Sequence, residues 1–143
     1  MGRFRDLQHV KDHLPPGDQQ LLRSELLPSV VANTRMSMWS PGESFPATGA
    51  RILIGVVTWS LYDLDLLDTL DQSTFDHDTV HVFDLDSCAT QSDIENYIPG
   101  IGKVCQTPVL GYWQDGQLLH REQGAAARDW LRNRYTLPPQ VFM

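Results

Sequence analysis

Thiol chemistry is the first chemistry that this chain of 143 residues suggests, because it contains two cysteines, Cys88 and Cys105. Their spacing matches neither a Cys-x-x-Cys redox motif nor a zinc site. Cys105 lies near Lys103, whose positive charge favours a thiolate. Cys88 is expected to open a helix after Asp86, where the helix dipole would lower its pKa. We expect Cys105 to be the more interesting thiol, with an ordinary half-buried cysteine as the alternative.

Metal and phosphate chemistry have weaker signals. His9 and His13 are four residues apart, as are His77 and His81, but neither pair has an evident third ligand. The chain has no glycine-rich phosphate loop after a strand and no Gly-x-Ser-x-Gly nucleophile motif. We therefore expect no metal site and no cofactor.

The second half of the chain carries clear strand signals. Residues 52–58 form a continuous apolar run, which is typical of a strand buried on both faces. Residues 80–86 predict a second strand, and residues 109–113 and 117–122 predict two more. The dipeptide Asp115-Gly116 between the last two runs predicts a β-hairpin, because both residues tolerate a positive φ angle.

Helices are predicted between these strands and after them. Leucines at 61, 64, 67 and 70 recur at helical spacing, with Asp65, Asp68 and Asp71 on what should be a solvated face. Residues 88–98 predict a helix that faces inward through Ile94, Tyr97 and Ile98. Residues 125–134 predict a last helix with an apolar stripe formed by Ala126, Trp130 and Leu131.

The first 50 residues predict shorter elements. Phe4, Leu7, Val10 and Leu14 are spaced for a short helix, and Asp18 is a candidate cap for a second helix that Pro28 interrupts. Residues 36–38 alternate as a short edge strand would. We treat residues 1–50 as an N-terminal extension of short helices packed on the following domain.

The element order after residue 50 predicts an α/β fold with a mixed sheet. Within it, Thr107-Pro108 precedes a strand that turns at Asp115-Gly116, and Gly124 precedes the last helix. This pattern resembles the thioredoxin superfamily over residues 51–135. The resemblance implies a thioredoxin-like three-layer sandwich over residues 51–137, a tail at 138–143, and a cis peptide bond before Pro108. It also implies that the two cysteines lie too far apart to form a disulfide.

The chain departs from that family at its chemical centre. The family places Trp-Cys-x-x-Cys after the first parallel strand, whereas this chain has Trp59-Ser60-Leu61-Tyr62-Asp63. A serine hydroxyl does not supply the thiolate that dithiol exchange needs. The resemblance therefore implies a redox-inactive member. Ser60 and Asp63 also have the spacing of a capping box, which is a purely structural role.

Three functions remain open at this point. The first is binding of a protein or extended peptide in the groove that the family forms beside its cis-proline, here Trp59, Ser60, Tyr62, Asp63, Gln106, Thr107 and Pro108. The second is a monothiol redox protein that uses Cys105 for a mixed disulfide or a glutathione adduct. The third is an enzyme without a catalytic thiol that uses Ser60, Tyr62 or Asp63.

The charge and hydropathy of the chain disfavour some classes of binding partner. The formal net charge is −7, which disfavours nucleic acid and anionic membrane surfaces. The sequence shows no secretory signal and no apolar run long enough to span a membrane, so we expect a cytoplasmic protein. Six aspartates in residues 63–78 contrast with the arginines near the C-terminal helix. That asymmetry leaves a homodimer possible.

Overall fold

The computed structural model describes residues 3–9, 13–40, 43, 48–73, 78–135 and 137. The helices in this part of the chain are α1 (Pro16–Ala32), α2 (Leu61–Asp71), α3 (Gln91–Tyr97) and α4 (Ala125–Tyr135). The strands are β1 (Ser37–Met38), β2 (Ala50–Val56), β3 (Asp78–Asp84), β4 (Val109–Gln114) and β5 (Gln117–Gln123). Two 3₁₀ turns cover Arg5–His9 and Leu85–Ser87. No helix among these residues is both long enough and apolar enough to cross a bilayer.

The five strands form one mixed sheet in the order β1-β3-β2-β4-β5. The strands β1, β3 and β2 are parallel, whereas β4 and β5 are antiparallel to their neighbours. The predicted α/β class with a mixed sheet is therefore confirmed, and so is the short edge strand within residues 36–38. The two parallel central strands each begin and end two residues earlier than predicted, because Ala50 pairs with Asp78 and Val56 pairs with Asp84.

Both faces of the sheet are covered by apolar side chains, because alternate residues of β2 point to opposite sides. Ile52, Ile54 and Val56 join a cluster with side chains of α1, α2 and α4. Leu53 joins a second cluster that includes Tyr97 of α3. The continuous apolar run in the sequence is explained by this double burial. Phe4 and Leu7 are also buried in the first cluster, so the start of the chain packs on the core.

The hairpin predicted at Asp115-Gly116 joins β4 to β5. Asp115 has a φ of 52° and Gly116 has a φ of 83°. The Asp115 side chain also accepts the backbone N–H of Gly49 at 2.9 Å, and this bond ties the turn to the start of β2.

Helix α1 differs from its prediction at both ends. It begins at Pro16 with Pro15 at the N-cap position and no side-chain cap, so Asp18 lies in the first turn rather than capping the helix. The helix also continues through Pro28 to Ala32. A proline removes one helical hydrogen bond, but Leu27 and Val31 on either side of it are fully buried and hold the backbone in place.

The predicted helix over residues 88–98 is shorter in the structure. Thr90 caps α3 through a complete capping box with Asp93. Cys88 instead ends the preceding 3₁₀ turn. It does not open a helix, and burial raises its pKa instead of lowering it. In α4 the buried small residue is Ala127, whereas the predicted Ala126 is exposed.

The aspartates of α2 do not form a solvated face. Asp68 is buried, and its two carboxylate oxygens accept the backbone N–H groups of Phe4 and Arg5 at 2.8 and 2.9 Å. Asp65 and Asp71 lie near the guanidinium groups of Arg5 and Arg3, with N–O distances of 3.5 and 3.7 Å. The helix therefore anchors the start of the chain, a role that its helical periodicity did not reveal.

The substitution Asp68→Ala tests this anchor. It leaves two backbone donors without their acceptor beside the buried Phe4 ring, so we expect a loss of roughly 2–3 kcal/mol in the free energy of unfolding. Asp71→Ala, which removes only a partly exposed ion pair, should cost about 0.5 kcal/mol. Urea denaturation of both variants provides the measurement, and equal losses would contradict the anchoring role.

Candidate functional site

Several predicted site residues meet at one edge of the sheet, where the parallel strands β2 and β3 end. Trp59 and Ser60 lie in the loop between β2 and α2. Thr107 and Pro108 precede β4, which is paired with β2, and the peptide bond between them is cis. The crevice at the carboxyl ends of parallel strands is a common place for ligands in open α/β sheets.

A cleft of about 680 Å³ opens at this edge. One wall is Trp59, and the opposite wall is the loop that leads to Pro108, with Ala125 and Arg128 of α4 closing the end. The cleft is lined by Trp59, Val104, Cys105, Gln106, Thr107, Ala125 and Arg128.

Asp63 lies in the first turn of α2 with its side chain fully buried. Its Oδ2 accepts the N–H of Val57 at 3.0 Å, and its own N–H donates to the Ser60 hydroxyl at 3.4 Å. The predicted capping box is thus only half formed, because the N–H of Ser60 bonds the Val57 carbonyl instead. The Asp63 carboxylate therefore holds the loop that carries Trp59. Its Oδ1 is shielded from water and has no hydrogen bond of ordinary geometry among the described residues.

The pKa of Asp63 is raised to about 6, because burial disfavours the charged form. Four groups act against burial and favour the charged form. In decreasing order they are the N–H of Val57, the Thr107 hydroxyl, the Arg128 guanidinium and the Ser60 hydroxyl. The carboxyl group is therefore poised to change its charge slightly below neutral pH.

Arg128 joins α4 to both sides of the cleft. Its guanidinium donates to the carbonyl of Thr107 at 3.2 Å and lies over the Tyr62 ring, 5.3 Å from the ring centroid. Because it also lies within electrostatic reach of Asp63, one arginine connects the buried carboxyl group, an exposed aromatic ring and the backbone before Pro108.

A glutamine of β5 holds the loop before the cis bond. The Gln123 Oε1 accepts the N–H groups of Cys105 and Gln106 at 2.8 and 3.3 Å. The glycine that follows, Gly124, has a φ of 65°, and a Cβ atom there would lie 2.0 Å from the Gln106 side chain. The glycine predicted before the last helix is thus required by its conformation and by a close contact.

The cleft offers an unused backbone donor and exposed aromatic surface. The N–H of Thr107 makes no hydrogen bond to any residue that the structure describes. Trp59 is 60% exposed and Tyr62 is 49% exposed. These are two of the four large apolar side chains most exposed in the described part of the chain. An unpaired backbone donor beside exposed rings is suited to an extended polypeptide.

The structure places the predicted groove residues in two groups, apart from Ser60, which caps α2 and does not line the cleft. Trp59, Gln106 and Thr107 line the cleft, and Tyr62 reaches it through Arg128. Asp63 lies beneath this surface and Pro108 is buried below the loop. Asp63 therefore organises the site from below and does not face it.

Sequence reasoning missed Arg128, Gln123 and Asp86 at this edge. Asp86 lies in the 3₁₀ turn after β3, and its Oδ1 accepts the indole N–H of Trp59 at 3.3 Å. A single arginine or glutamine in a helix or strand has no local signal for such a role. Asp86 follows β3 in the sequence, but its contact with Trp59, which follows the neighbouring strand β2, was not predictable from local pattern.

The two thiols do not belong to one site. Cys88 and Cys105 are both free, and only Cys105 lines the cleft, where it is exposed. Among the described residues no three histidine, cysteine or acidic side chains are grouped as metal ligands. His77, a member of one of the two histidine pairs in the sequence, lies outside the described residues.

The chain matches no protein-family model, no curated protein and no solved structure.

The raised pKa of Asp63 predicts a pH-dependent stability. As the pH is lowered, Asp63 in the folded chain binds a proton near pH 6, whereas an unfolded aspartate binds one only near pH 4. Burial of the charged carboxylate therefore lowers the stability of the folded chain at pH 7. This loss disappears as the pH falls through 6. Relative to Asp63→Asn, the wild-type chain should gain roughly 1 kcal/mol between pH 7 and pH 5. Urea unfolding of both proteins at the two pH values measures this gain, and a pH-independent difference between them would contradict it.

Proposed function

We propose that this chain is a redox-inactive, thioredoxin-like binding module that holds an extended segment of a protein partner in the cleft between Trp59 and Thr107. The observation that carries the proposal is the backbone N–H of Thr107, which bonds to no residue that the structure describes and lies in a cleft lined by the exposed Trp59 ring. An extended segment can hydrogen-bond to that donor while its side chains pack on the rings.

The sheet supports the proposed relationship. A mixed sheet with the β4–β5 hairpin at one edge, and a cis peptide bond entering β4, agree with the proposed relationship. Apolar clusters on both faces of the sheet, one including α2 and α4 and the other including α3, agree with the three-layer sandwich that we propose.

Dithiol chemistry is not part of the proposal. Ser60 and Asp63 occupy the positions of the family's two cysteines, and Ser60 is engaged in capping α2. An enzyme that used these two groups directly would need Asp63 at the surface, but its side chain is fully buried. The geometry therefore favours binding over acid–base catalysis at this site.

A second candidate function uses Cys105. This thiol is exposed and lines the same cleft, so it could form a mixed disulfide with a cysteine of a bound partner or with glutathione. Cys105→Ser separates the two functions, because it abolishes any covalent capture and leaves the groove intact.

The experiment starts from a library of random 12-residue peptides and selects those that bind the full chain. The affinity of the selected peptides is then measured by fluorescence anisotropy. We expect selected peptides to shift the Thr107 amide resonance in NMR spectra. Trp59→Ala should weaken binding by about tenfold, because a large aromatic contact is lost.

Leu119→Ala is the matched control for the tryptophan variant. Leu119 is 50% exposed in β5, away from the lining of the cleft, so its truncation removes exposed apolar surface without touching the site. Unchanged affinity in this variant is expected. Equal losses in the Trp59 and Leu119 variants, or peptides that leave the Thr107 amide unshifted, would refute the proposed site.

A further inference from the structure

A second cleft of about 450 Å³ lies beside the first, between α1 and the end of β3. One face of α1 supplies Gly17, Gln20, Leu21, Ser24 and Glu25, and the other wall is Asp84, Asp86 and Ser87. Leu21 is 65% exposed at its rim. The cleft therefore combines an apolar surface with three carboxylate groups, and the function proposed above does not use it.

Among the described residues, these carboxylates have no ion-pair partner. The Oδ2 of Asp86 is shielded from water and accepts no hydrogen bond there. Burial raises the pKa of Asp84, and repulsion from Asp86 adds to the effect. A cation in the cleft would relieve this repulsion.

One hydrogen bond joins the linings of the two clefts. The indole N–H of Trp59, which lines the first cleft, donates to Asp86, which lines the second, at 3.3 Å. Three of the four most exposed large apolar side chains among the described residues lie at these clefts. Leu21 lines the second cleft, Trp59 lines the first, and the Tyr62 ring packs against Arg128, which also lines the first. One extended segment can therefore contact both clefts by passing over the Trp59 ring.

We infer that the acidic cleft binds a lysine or arginine side chain of the same partner segment that enters the groove at Thr107. This inference rests on the function proposed above and names the chemistry of the partner. A long aliphatic stem fits the apolar part of the cleft, and its cationic head then reaches Glu25 and Asp86. The net charge of −7 also favours the approach of a cationic partner.

The first measurement uses n-butylammonium and n-propylguanidinium, which correspond to the ends of lysine and arginine, with n-butanol as the neutral control. In NMR titrations of the full chain, both cations should shift the amides of Ser24, Asp86 and Ser87 in a saturable way, whereas n-butanol should not. Glu25→Gln should weaken the response by about threefold, as expected for a solvent-exposed carboxylate.

Glu122→Gln is the matched control, because it removes the same charge from β5, outside both clefts. It should leave the cation response unchanged. Equal weakening in the two glutamine variants, or an equal response to n-butanol, would overturn the inference, since either result means that no specific cation site exists.

The second measurement uses the peptides selected on the groove. Those peptides should contain a lysine or arginine, and its replacement by norleucine should weaken binding by about tenfold. Peptides that shift the Thr107 amide but tolerate norleucine would overturn this inference and leave the proposed function intact. Cation binding in the acidic cleft without peptide binding at Thr107 would instead overturn the proposed function, and the single-segment inference with it.

Discussion

The hydrogen bond from the N–H of Val57 to the buried carboxylate of Asp63 is the constraint on which this site depends. It fixes the short loop that leaves β2, so that Trp59 projects into solvent while the chain behind it enters α2. The same carboxyl group lies under Thr107 and within electrostatic reach of Arg128. A single acidic residue therefore links the strand end, the first turn of α2 and the loop before Pro108.

Electrostatics also divide the surface at this edge of the sheet. Arg128 lies on the side of the groove, and Glu25, Asp84 and Asp86 lie on the side of α1, with Trp59 between them. A surface of this kind distinguishes partners by charge as well as by shape. In the complex that we propose, a partner segment that covers the exposed apolar side chains would remove them from water.

Much of the architecture was predictable from the sequence, because short runs of residues determine it. The doubly buried strand β2 and the hairpin at Asp115-Gly116 each follow from a run or a pair of residues, whereas the cis bond before Pro108 was expected only from the family resemblance. The continuation of α1 through Pro28 was not predictable, because it depends on the burial of Leu27 and Val31 against distant residues. Helical periodicity likewise placed Asp68 in solvent. The N–H groups that bind its carboxylate belong to residues more than sixty positions away, so no local pattern could reveal them.

The site itself was only partly predictable. Of the residues predicted for the groove, Trp59 and Thr107 line the cleft, whereas Asp63 and Pro108 are buried beneath it. The most direct measurement of that arrangement is a carbon-13 NMR titration of the Asp63 carboxyl group, with the amides of Val57 and Thr107 observed together. The structure predicts a midpoint near pH 6, shared by all three signals. A midpoint near 4, the ordinary range of an exposed aspartate, would show that the carboxyl group is not buried under the groove.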